Sequence, residues 1–439
     1  MELRQFVTEA LGDSSYVVVS DRTAAVIDPQ RDVRPYLEAA AELGATIEFA
    51  VETHVHNDYI SGGPELAALG AMIVAPATAG LRFPHQPIGD GEDVAIGRVR
   101  LGAVAAPGHT YEHTAYLLID EDSGTSGAFT GGALLVGGAG RTDLLGPDHT
   151  EELTRMQWDT ARRLKTILEP DSEILPTHGG GSFCSWAGSG DKRRSTLAHE
   201  SDNDALVGTD FATFRAIHLG NLAPIPAYYP HIAPINRAGP SVHGQPPRPP
   251  ELTPQDVVEG NKRQLVDVRR RQHFVEAHVP GSLSIEEGSS MLAYFGWVIP
   301  FNSPLALVTE DEEQAGRVTT DLFRIGYESV AGYLLFQRWL DEGQTVIGLP
   351  GLTVEEAREA MRRHHLVDVR FANEHERSPL AGALQMPSNR VTEWAATLDV
   401  LRPVVACATG RRAVMVASFL KRAGLESQPL VEGGVDDLR

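Results

Sequence analysis

Three histidine-bearing segments in the N-terminal half have the residue types of a metal site. His54 and His56 follow an apolar stretch that predicts a strand, and because one residue separates them, both imidazoles lie on one side of extended backbone. His109 and His178 each follow a further predicted strand. Loops at strand ends are where a rigid scaffold places reactive groups. The pattern predicts that imidazole nitrogens from three loops converge on one cation.

A second reactive segment surrounds Cys407. The thiol follows a predicted strand and precedes a predicted helix, where backbone N–H groups and the helix dipole stabilise a thiolate. Arg411 and Arg412 add positive charge, and a loop closed by Gly410 can cradle an anion. This suits a persulfide or thiosulfate as substrate and predicts a cysteine nucleophile. The alternative is a buried cysteine that two arginines flank by chance.

The elements around Cys407 belong to a repeat. Leu265-Val-Asp-Val-Arg269 recurs as Leu366-Val-Asp-Val-Arg370, and in each copy strands alternate with helices. This alternation predicts two α/β domains with parallel sheets. Aligning Pro304 with Pro403 places Val308 opposite Cys407, followed by an acidic run where the active loop needs N–H donors. We therefore predict that the first copy has no nucleophile and a structural role.

Length and composition bound the other expectations. A chain of 439 residues is too long for one ordinary core. A net charge of −21, from 38 basic and 59 acidic residues, disfavours nucleic acid as a partner. No apolar run reaches the ~20 residues of a membrane helix, and the N-terminus has no secretory pattern. With only two cysteines, we expect a cytoplasmic protein in a reducing compartment that has no membrane association and could form homo-oligomers.

Four segments follow from these patterns. We predict a mixed α/β domain over residues 1–222, a proline-rich linker over 223–251, a first repeat copy over 252–345, and a second copy over 350–439 that carries Cys407. The two repeats are the first copy, residues 252–345, and the second copy, residues 350–439.

The N-terminal motifs, taken together, resemble the metallo-β-lactamase superfamily and its persulfide dioxygenase branch. They are Thr53-His-Val-His-Asn-Asp58, Pro107-Gly-His-Thr110, Phe129-Thr-Gly131, Gly140-Arg-Thr-Asp143 and His178-Gly-Gly-Gly-Ser-Phe-Cys184. The Cys-x-x-Gly-x-Arg loop resembles that of rhodanese domains. The whole arrangement is similar to bacterial persulfide dioxygenase–sulfurtransferase fusions. The resemblance implies an αββα sandwich followed by two three-layer rhodanese folds.

This chain departs from the implied iron site at two positions. Where the family has a metal-binding aspartate it has Gly132, and where the superfamily motif has a second-metal histidine it has Tyr59. We therefore predict a single divalent metal, iron(II) favoured and zinc(II) as the alternative, on a face formed by His54, His56 and His109. Asp58 and His178 are predicted as outer or facultative ligands. The alternative is a metal-free lactamase fold.

Three further residues have predicted roles. Tyr59 and Arg141 are predicted to bind substrate. Cys184, six residues after His178, either accepts a sulfane sulfur or is a small buried hydrophobe.

The predicted function is metabolism of low-molecular-weight persulfides. The metal centre would oxidise a persulfide of the glutathione type to sulfite, and Cys407 would transfer sulfur between persulfide, thiosulfate and sulfite. Two alternatives remain: a thioester hydrolase of the glyoxalase II type, and a sulfurtransferase on a degenerate lactamase-fold scaffold.

Overall fold

A computed structural model describes residues 1–121, 124–185, 192–201, 210–260 and 262–439. The chain divides into two compact units. The first comprises Met1–Ile225, Tyr229–Pro246 and Arg324–Gly326, and the second comprises Pro226–Tyr228, Pro247–Phe323 and Tyr327–Arg439. Over the described ranges, no helix is both long and apolar enough to span a membrane.

The described part of the first unit contains two six-stranded mixed sheets. One has the order β1 to β6: Glu2–Thr8, Asp13–Ser20, Thr23–Ile27, Thr46–Val51, Met72–Pro76 and Gln86–Ile88. The other contains β7 to β12: Asp93–Ile96, Val99–Ala105, Thr114–Asp120, Gly124–Gly131, Glu173–Pro176 and Ser195–Thr196. The first three strands of each sheet pair antiparallel, whereas β3 to β6 pair parallel and β10 pairs parallel with β11.

The two sheets enclose an apolar core and carry helices on their outer faces. The helices are α1 Arg34–Glu42, α2 Gly63–Ala68, α3 Pro147–Ile167, α4 Leu197–Ser201, α5 Phe211–Gly220 and α6 Tyr229–Ala238. Strand β2 shows why the layers form: Tyr16 and Val18 lie in the core between the sheets, whereas Val17 and Val19 pack beneath the helices. The predicted αββα sandwich is confirmed.

Helix α6 lies within the segment predicted as a linker. Its Asn236 side chain donates to the carbonyl oxygens of His56 and Tyr59 and accepts from the N–H of Ser61, each at 2.9 Å. This part of the segment is therefore a folded support for the loop after His56. We had not predicted it, because proline density alone does not reveal a helix stabilised by tertiary contacts.

The second unit contains the two repeat copies. The first copy has β13 Gln264–Asp267, β14 Leu283–Ser284, β15 Leu305–Thr309 and β16 Val330–Leu335, with α7 Pro254–Glu259, α8 Arg271–Glu276, α9 Met291–Val298, α10 Glu312–Arg324 and α11 Phe336–Asp341. The second has β17 Leu366–Asp368, β18 Leu384–Gln385, β19 Val404–Ala406 and β20 Gln428–Pro429, with α12 Val354–Ala360, α13 Ala372–Arg377, α14 Val391–Trp394 and α15 Arg411–Arg422. The described strands form one four-stranded sheet per copy, in the orders β14-β13-β15-β16 and β18-β17-β19-β20, with parallel pairs throughout. The predicted parallel sheets are confirmed.

Strand register corrects one predicted equivalence. Asp267 pairs with Val308 in the first copy, and Asp368 pairs with Ala406 in the second. Val308 therefore matches Ala406, and Thr309 takes the place of Cys407. The alignment on the preceding proline was wrong by one residue, because the first copy has one more residue between that proline and the strand end. The prediction that this copy has no thiol there is unaffected.

Candidate metal centre and sulfur-transfer site

Three histidines from three loops come together in the first unit. His54 follows β4, His109 follows β8 and His178 follows β11, and all three are buried. The Nε2 atoms of His54 and His178 are 3.4 Å apart. The ring centroid of His109 lies 4.8 Å from that of His54 and 5.1 Å from that of His178. Their ligand atoms lie close enough together to hold one ion.

The outward nitrogen of each ring is already bonded. Nδ1 of His54 lies 2.8 Å from Thr53 Oγ1, which itself donates to Asp28, so the imidazole is the donor. Nδ1 of His109 donates to the carbonyl oxygen of Arg141 at 2.7 Å. Nδ1 of His178 lies 2.9 Å from an oxygen of Asp13. Such bonds fix ring orientation and direct each Nε2 inward as a ligand.

The inward nitrogens fit a divalent cation. Two imidazole nitrogens at 2.0–2.1 Å from a tetrahedral ion stand roughly 3.3 Å apart, close to the His54–His178 separation. Nε2 of His109 is buried and has no hydrogen-bond partner among the described residues. A buried, unpaired nitrogen is costly unless something binds it. The three-histidine cluster therefore fits a single metal.

The charge state of the rings also fits metal binding. Burial, with the neighbouring histidines, lowers the pKa of His54 and His109 well below the usual range, so both rings are neutral. Burial also lowers the pKa of His178, but the carboxylates of Asp58 and Asp13 outweigh it and raise this pKa to about 10. A metal ion would replace the proton of His178, because ligands bind metals in their deprotonated form.

His56 takes a different position from the one predicted. Its Nε2 lies 3.3 Å from Asp28, 3.2 Å from Glu52 and 3.1 Å from the hydroxyl of Tyr59. The histidine that joins His54 and His109 is thus His178, and the predicted face of His54, His56 and His109 does not form. Nδ1 of His56 has no hydrogen-bond partner within the described ranges.

Tyr59 does not match its predicted role in substrate binding. The side chain is completely buried, and its ring stacks on His56 at a centroid distance of 4.3 Å. Its hydroxyl also lies 3.3 Å from the carbonyl oxygen of Asp28. A substrate cannot reach it without displacing this buried network. The network is therefore a support for His56.

The space in which a side chain at position 132 would begin is occupied by a histidine ring. A Cβ placed at this position would lie 2.5 Å from the ring of His109, inside van der Waals contact. The backbone N–H of Gly132 donates to Nε2 of His113 at 2.9 Å. The sequence interpretation did not include His113, although its spacing four residues after His109 was a signal for it. Position 132 itself thus offers no carboxylate to the three-histidine cluster.

Arg141 and Cys184 are also structural in this geometry. Arg141 is buried and donates to Asp143 at 2.7 and 2.8 Å and to the carbonyl oxygens of Phe183 and Ala223. Its predicted role in substrate binding is therefore not supported. Burial raises the pKa of the Cys184 thiol well above its usual range, with the carboxylates of Asp58 and Asp13 adding to the effect. A buried, protonated thiol is unreactive, so the hydrophobe alternative for Cys184 fits better.

In the second unit, Cys407 lies at the start of α15 as predicted. Its Sγ accepts a hydrogen bond from the N–H of Gly410 at 3.2 Å. Gly410 has a φ of +86°, and a Cβ there would overlap the carbonyl oxygen of Val431, so only glycine fits. Among the described residues, no side chain caps the N-terminus of α15. The N–H groups at this helix start are therefore available to a sulfur anion.

Arg412 is held beside the loop. Its guanidinium pairs with both oxygens of Glu374 at 2.5 and 2.8 Å and lies 4.6 Å from the ring centroid of Phe371. The guanidinium of Arg412 also interacts electrostatically with Cys407. This agrees with its predicted place in the sulfur-transfer site.

Arg411 is held by residues of the first copy. Its guanidinium donates to Glu286 at 3.1 Å and to the carbonyl oxygens of Glu287 and Ser289 at 2.7 and 2.8 Å. All three acceptors belong to the first copy. That Arg411 adds charge at the thiol stays a prediction, whereas its pairing with a carboxylate 125 positions upstream is not visible in the local sequence.

The first copy fills the corresponding site with its own side chains. Asp311 accepts from the N–H of Gln314 at 2.7 Å, and the Gln314 side chain accepts from the N–H of Glu310 at 2.9 Å. Thr309 is completely buried at the position equivalent to Cys407. These bonds occupy the N–H groups of Glu310 and Gln314 at the helix start with the protein's own acceptors.

Family comparisons agree with this division of the chain. Residues 9–191 match the model described as metallo-beta-lactamase superfamily, and residues 353–439 match the model described as rhodanese-like domain. A hydroxyacylglutathione hydrolase of Gloeobacter violaceus is 38% identical over 139 residues, covering 30% of this chain and 53% of that protein. Persulfide dioxygenase ETHE1, mitochondrial, of Homo sapiens is 37% identical over 179 residues, covering 40% of this chain and 65% of that protein. The chain thus spans between about half and two thirds of the length of these curated relatives.

A solved structure extends the similarity across more of the chain. The crystal structure of a metallo-beta-lactamase from Staphylococcus aureus subsp. aureus COL has a TM-score of 0.69 and 27% sequence identity. The match covers 76% of this chain and 99% of that one.

Proposed function

We propose that this chain, which joins a metallo-beta-lactamase superfamily domain to a rhodanese-like domain, metabolises low-molecular-weight persulfides in the cytoplasm. The observation that carries the proposal is the Cys407 loop, where a glycine N–H bonds the sulfur at a helix start without a side-chain cap among the described residues. Similarity to a persulfide dioxygenase supports the same substrate class for the first unit.

The chemical steps of sulfur transfer would take place on Cys407 and the N–H groups of its loop. The thiolate attacks the outer sulfur of a persulfide R–S–SH, the S–S bond of the persulfide breaks, and the thiol RSH leaves with the electron pair and the proton. Cys407 then carries a terminal sulfur as Cys407–S–S⁻, which loop N–H groups stabilise. Attack by sulfite on that terminal sulfur releases thiosulfate and regenerates the Cys407 thiolate. The reverse sequence uses thiosulfate as donor.

The first unit would oxidise a persulfide such as glutathione persulfide, with O₂ and water, to the thiol, sulfite and two protons. His54, His109 and His178 would hold a divalent ion. Bound iron(II) would supply redox chemistry toward O₂, whereas zinc(II) would supply only a Lewis acid. Thr53, Asp13 and the carbonyl oxygen of Arg141 keep the three rings in the ligand orientation.

A second candidate function for the first unit is thioester hydrolysis. The 38% identity to a hydroxyacylglutathione hydrolase favours it. Asp58 and His178 lie together, with an ion pair of 3.3 Å. Tyr59, however, stands where a second metal would need a histidine, so a two-metal site is disfavoured. Both candidate reactions act on a derivative of a glutathione-type thiol, so an assay must distinguish the two reactions themselves.

The test combines metal analysis with two activity assays on the full chain. Purified protein should contain close to one equivalent of iron and consume O₂ with glutathione persulfide, and His109→Ala should lose both. His199→Ala is the matched control, because that histidine is exposed on α4. Hydrolysis of S-lactoylglutathione without O₂ uptake would favour the second candidate. Less than a tenth of an equivalent of any transition metal, with sulfur transfer intact, would leave only the rhodanese-like activity.

A further inference from the structure

The helix that follows Cys407 is packed between the two copies. Helix α15 contacts β19 of its own sheet and also β14 and α8 of the first copy. Val414 and Ala417 of α15 pack with Phe274 of α8 in one apolar cluster. The first copy therefore forms part of the wall that holds the active helix in place.

At the start of α15, one carboxylate of the first copy joins two arginines. Glu286 accepts from Arg411 at 3.1 Å and from Arg271 at 2.9 Å. The three side chains are between 13% and 22% exposed, so solvent screens their attraction only in part. Removing this carboxylate would leave two guanidinium groups facing each other.

Both arginines act on the backbone around Gly410. Arg411 is the next residue after it, and Arg271 donates through Nε to the carbonyl oxygen of Val431 at 2.8 Å. That same carbonyl oxygen packs against Gly410 so closely that a Cβ would not fit. Glu286 thus fixes the segment on each side of the N–H group that bonds Cys407.

We propose that Glu286, in the copy without a thiol, is a positioning residue for Cys407 and acts through Arg411. This inference rests on the proposed sulfur transfer. Glu286 touches neither the thiol nor a bound sulfur anion in the described geometry, and its effect is to keep the Gly410 N–H aimed at the sulfur. The first copy then contributes a positioning residue to the sulfur-transfer site.

The test compares four variants of the full chain: Glu286→Gln, Arg411→Gln, the double variant, and Arg422→Gln. The control Arg422→Gln removes a bond of similar length, 2.9 Å to Gln264 of the first copy, at the other end of the same helix. For Glu286→Gln we expect kcat for sulfur transfer from a persulfide to sulfite to fall about tenfold, since small misplacement of a reacting group is costly. KM should stay unchanged, because Glu286 does not contact the substrate.

The double variant gives the decisive comparison. If Glu286 acts through Arg411, the double variant loses no more activity than the worse single variant, and the control keeps its wild-type kcat. Additive losses, an equal loss in Arg422→Gln, or an unchanged kcat in Glu286→Gln would each overturn the proposal.

A second measurement does not depend on activity. The rate at which a small alkylating reagent modifies the buried Cys407, followed by mass spectrometry of its peptide, should change in Glu286→Gln, because the Gly410 N–H that bonds the sulfur is displaced, and should stay unchanged in the control. If the wild-type chain transfers no sulfur, the proposed function fails, and the alkylation rates still test the positioning.

Discussion

The two repeat copies share one scaffold but differ in the loop that leads into α15 in the second copy and α10 in the first. In the second copy, the N–H of Gly410 bonds the sulfur of Cys407. In the first copy, the carboxylate of Asp311 bonds the N–H of Gln314 at the start of α10. A helix start that the protein caps itself cannot bind an anion, whereas one left open can. The choice between a sulfur site and a structural wall therefore depends on a few residues at one sheet edge.

The rest of the scaffold is the same in both copies. Arg269 pairs with Asp267 at 2.8 Å, and Arg370 pairs with Asp368 at 2.7 Å, after equivalent strands. These buried pairs fix the loop that follows the first strand of each copy. They persist where the thiol is absent, so the Asp-Val-Arg motif serves the fold in both copies.

The sharpest test of this difference is removal of the thiol. Cys407→Ser should lower the sulfur-transfer rate at least about a thousandfold, because no other described group at this loop can carry the sulfur. Thr309→Val, at the equivalent position of the first copy, is the matched control and should keep the wild-type rate. The rate is measured as thiosulfate formed from persulfide and sulfite. Full activity in Cys407→Ser would remove the basis of the comparison.

A smaller loss of activity is expected when the positive charge beside the thiol is kept but the side chain that carries it is replaced. Arg412→Lys cannot pair with both oxygens of Glu374 or lie flat on Phe371, so kcat should fall about tenfold to a hundredfold. The control is Arg317→Lys, which alters the pair with Glu287 in the first copy. Equal activities in the two variants would contradict a role for Arg412 at the sulfur.

The copies should also differ in sensitivity to acid. Burial, aided by Arg269 and Lys421, lowers the pKa of His278 from 6.5 to about 4, whereas Pro379 stands at the matching position of the second copy. Because the unfolded chain binds this proton and the folded chain does not, stability present above pH 6.5 is lost as pH falls toward 4.

Replacing this histidine measures the effect. Between pH 7 and pH 5.5, the free energy of unfolding of the wild type should fall by about 1 kcal/mol more than that of His278→Asn. Asparagine retains a donor for the carbonyl oxygen of Phe274, which His278 bonds at 2.8 Å. Urea denaturation at both pH values gives the difference, and identical pH dependence in the two proteins would show that His278 titrates normally.

The smallest expected effect is that of adding a thiol to the first copy. Thr309→Cys in a Cys407→Ser background should restore no sulfur transfer, because Asp311 and Gln314 already fill the helix start. The assay is the same thiosulfate measurement. Activity clearly above that of Cys407→Ser alone would mean that the thiol suffices without an open cradle.

The sequence predicted what local pattern and repetition encode. The duplicated Asp-Val-Arg motif predicted two parallel sheets. The position of Cys407 at a strand-to-helix turn predicted the loop that Gly410 closes. The histidine-bearing turns likewise predicted that three loops converge, although the predicted ligand face contained His56 where the structure has His178. Each of these features depends on a few neighbouring residues whose spacing is visible in the chain.

The features that were missed depend on distant partners. Asp13 bonds His178 across 165 positions, and Glu286 bonds Arg411 across 125. Whether a buried arginine such as Arg141 binds substrate or closes a loop is decided by the acceptors around it, which the sequence does not order in space. The one-residue error at Val308 has the same origin, since strand pairing sets the register.

The packing around Gly132 makes the residues of the three-histidine cluster difficult to change. The ring of His109 occupies the volume in which a side chain there would begin. Gly132→Asp would therefore not recreate a two-histidine, one-carboxylate site in a single step, since the new carboxylate and the existing imidazole compete for one space. Any path back to that site requires His109 to move first, so the three-nitrogen arrangement is stabilised by packing as well as by chemistry.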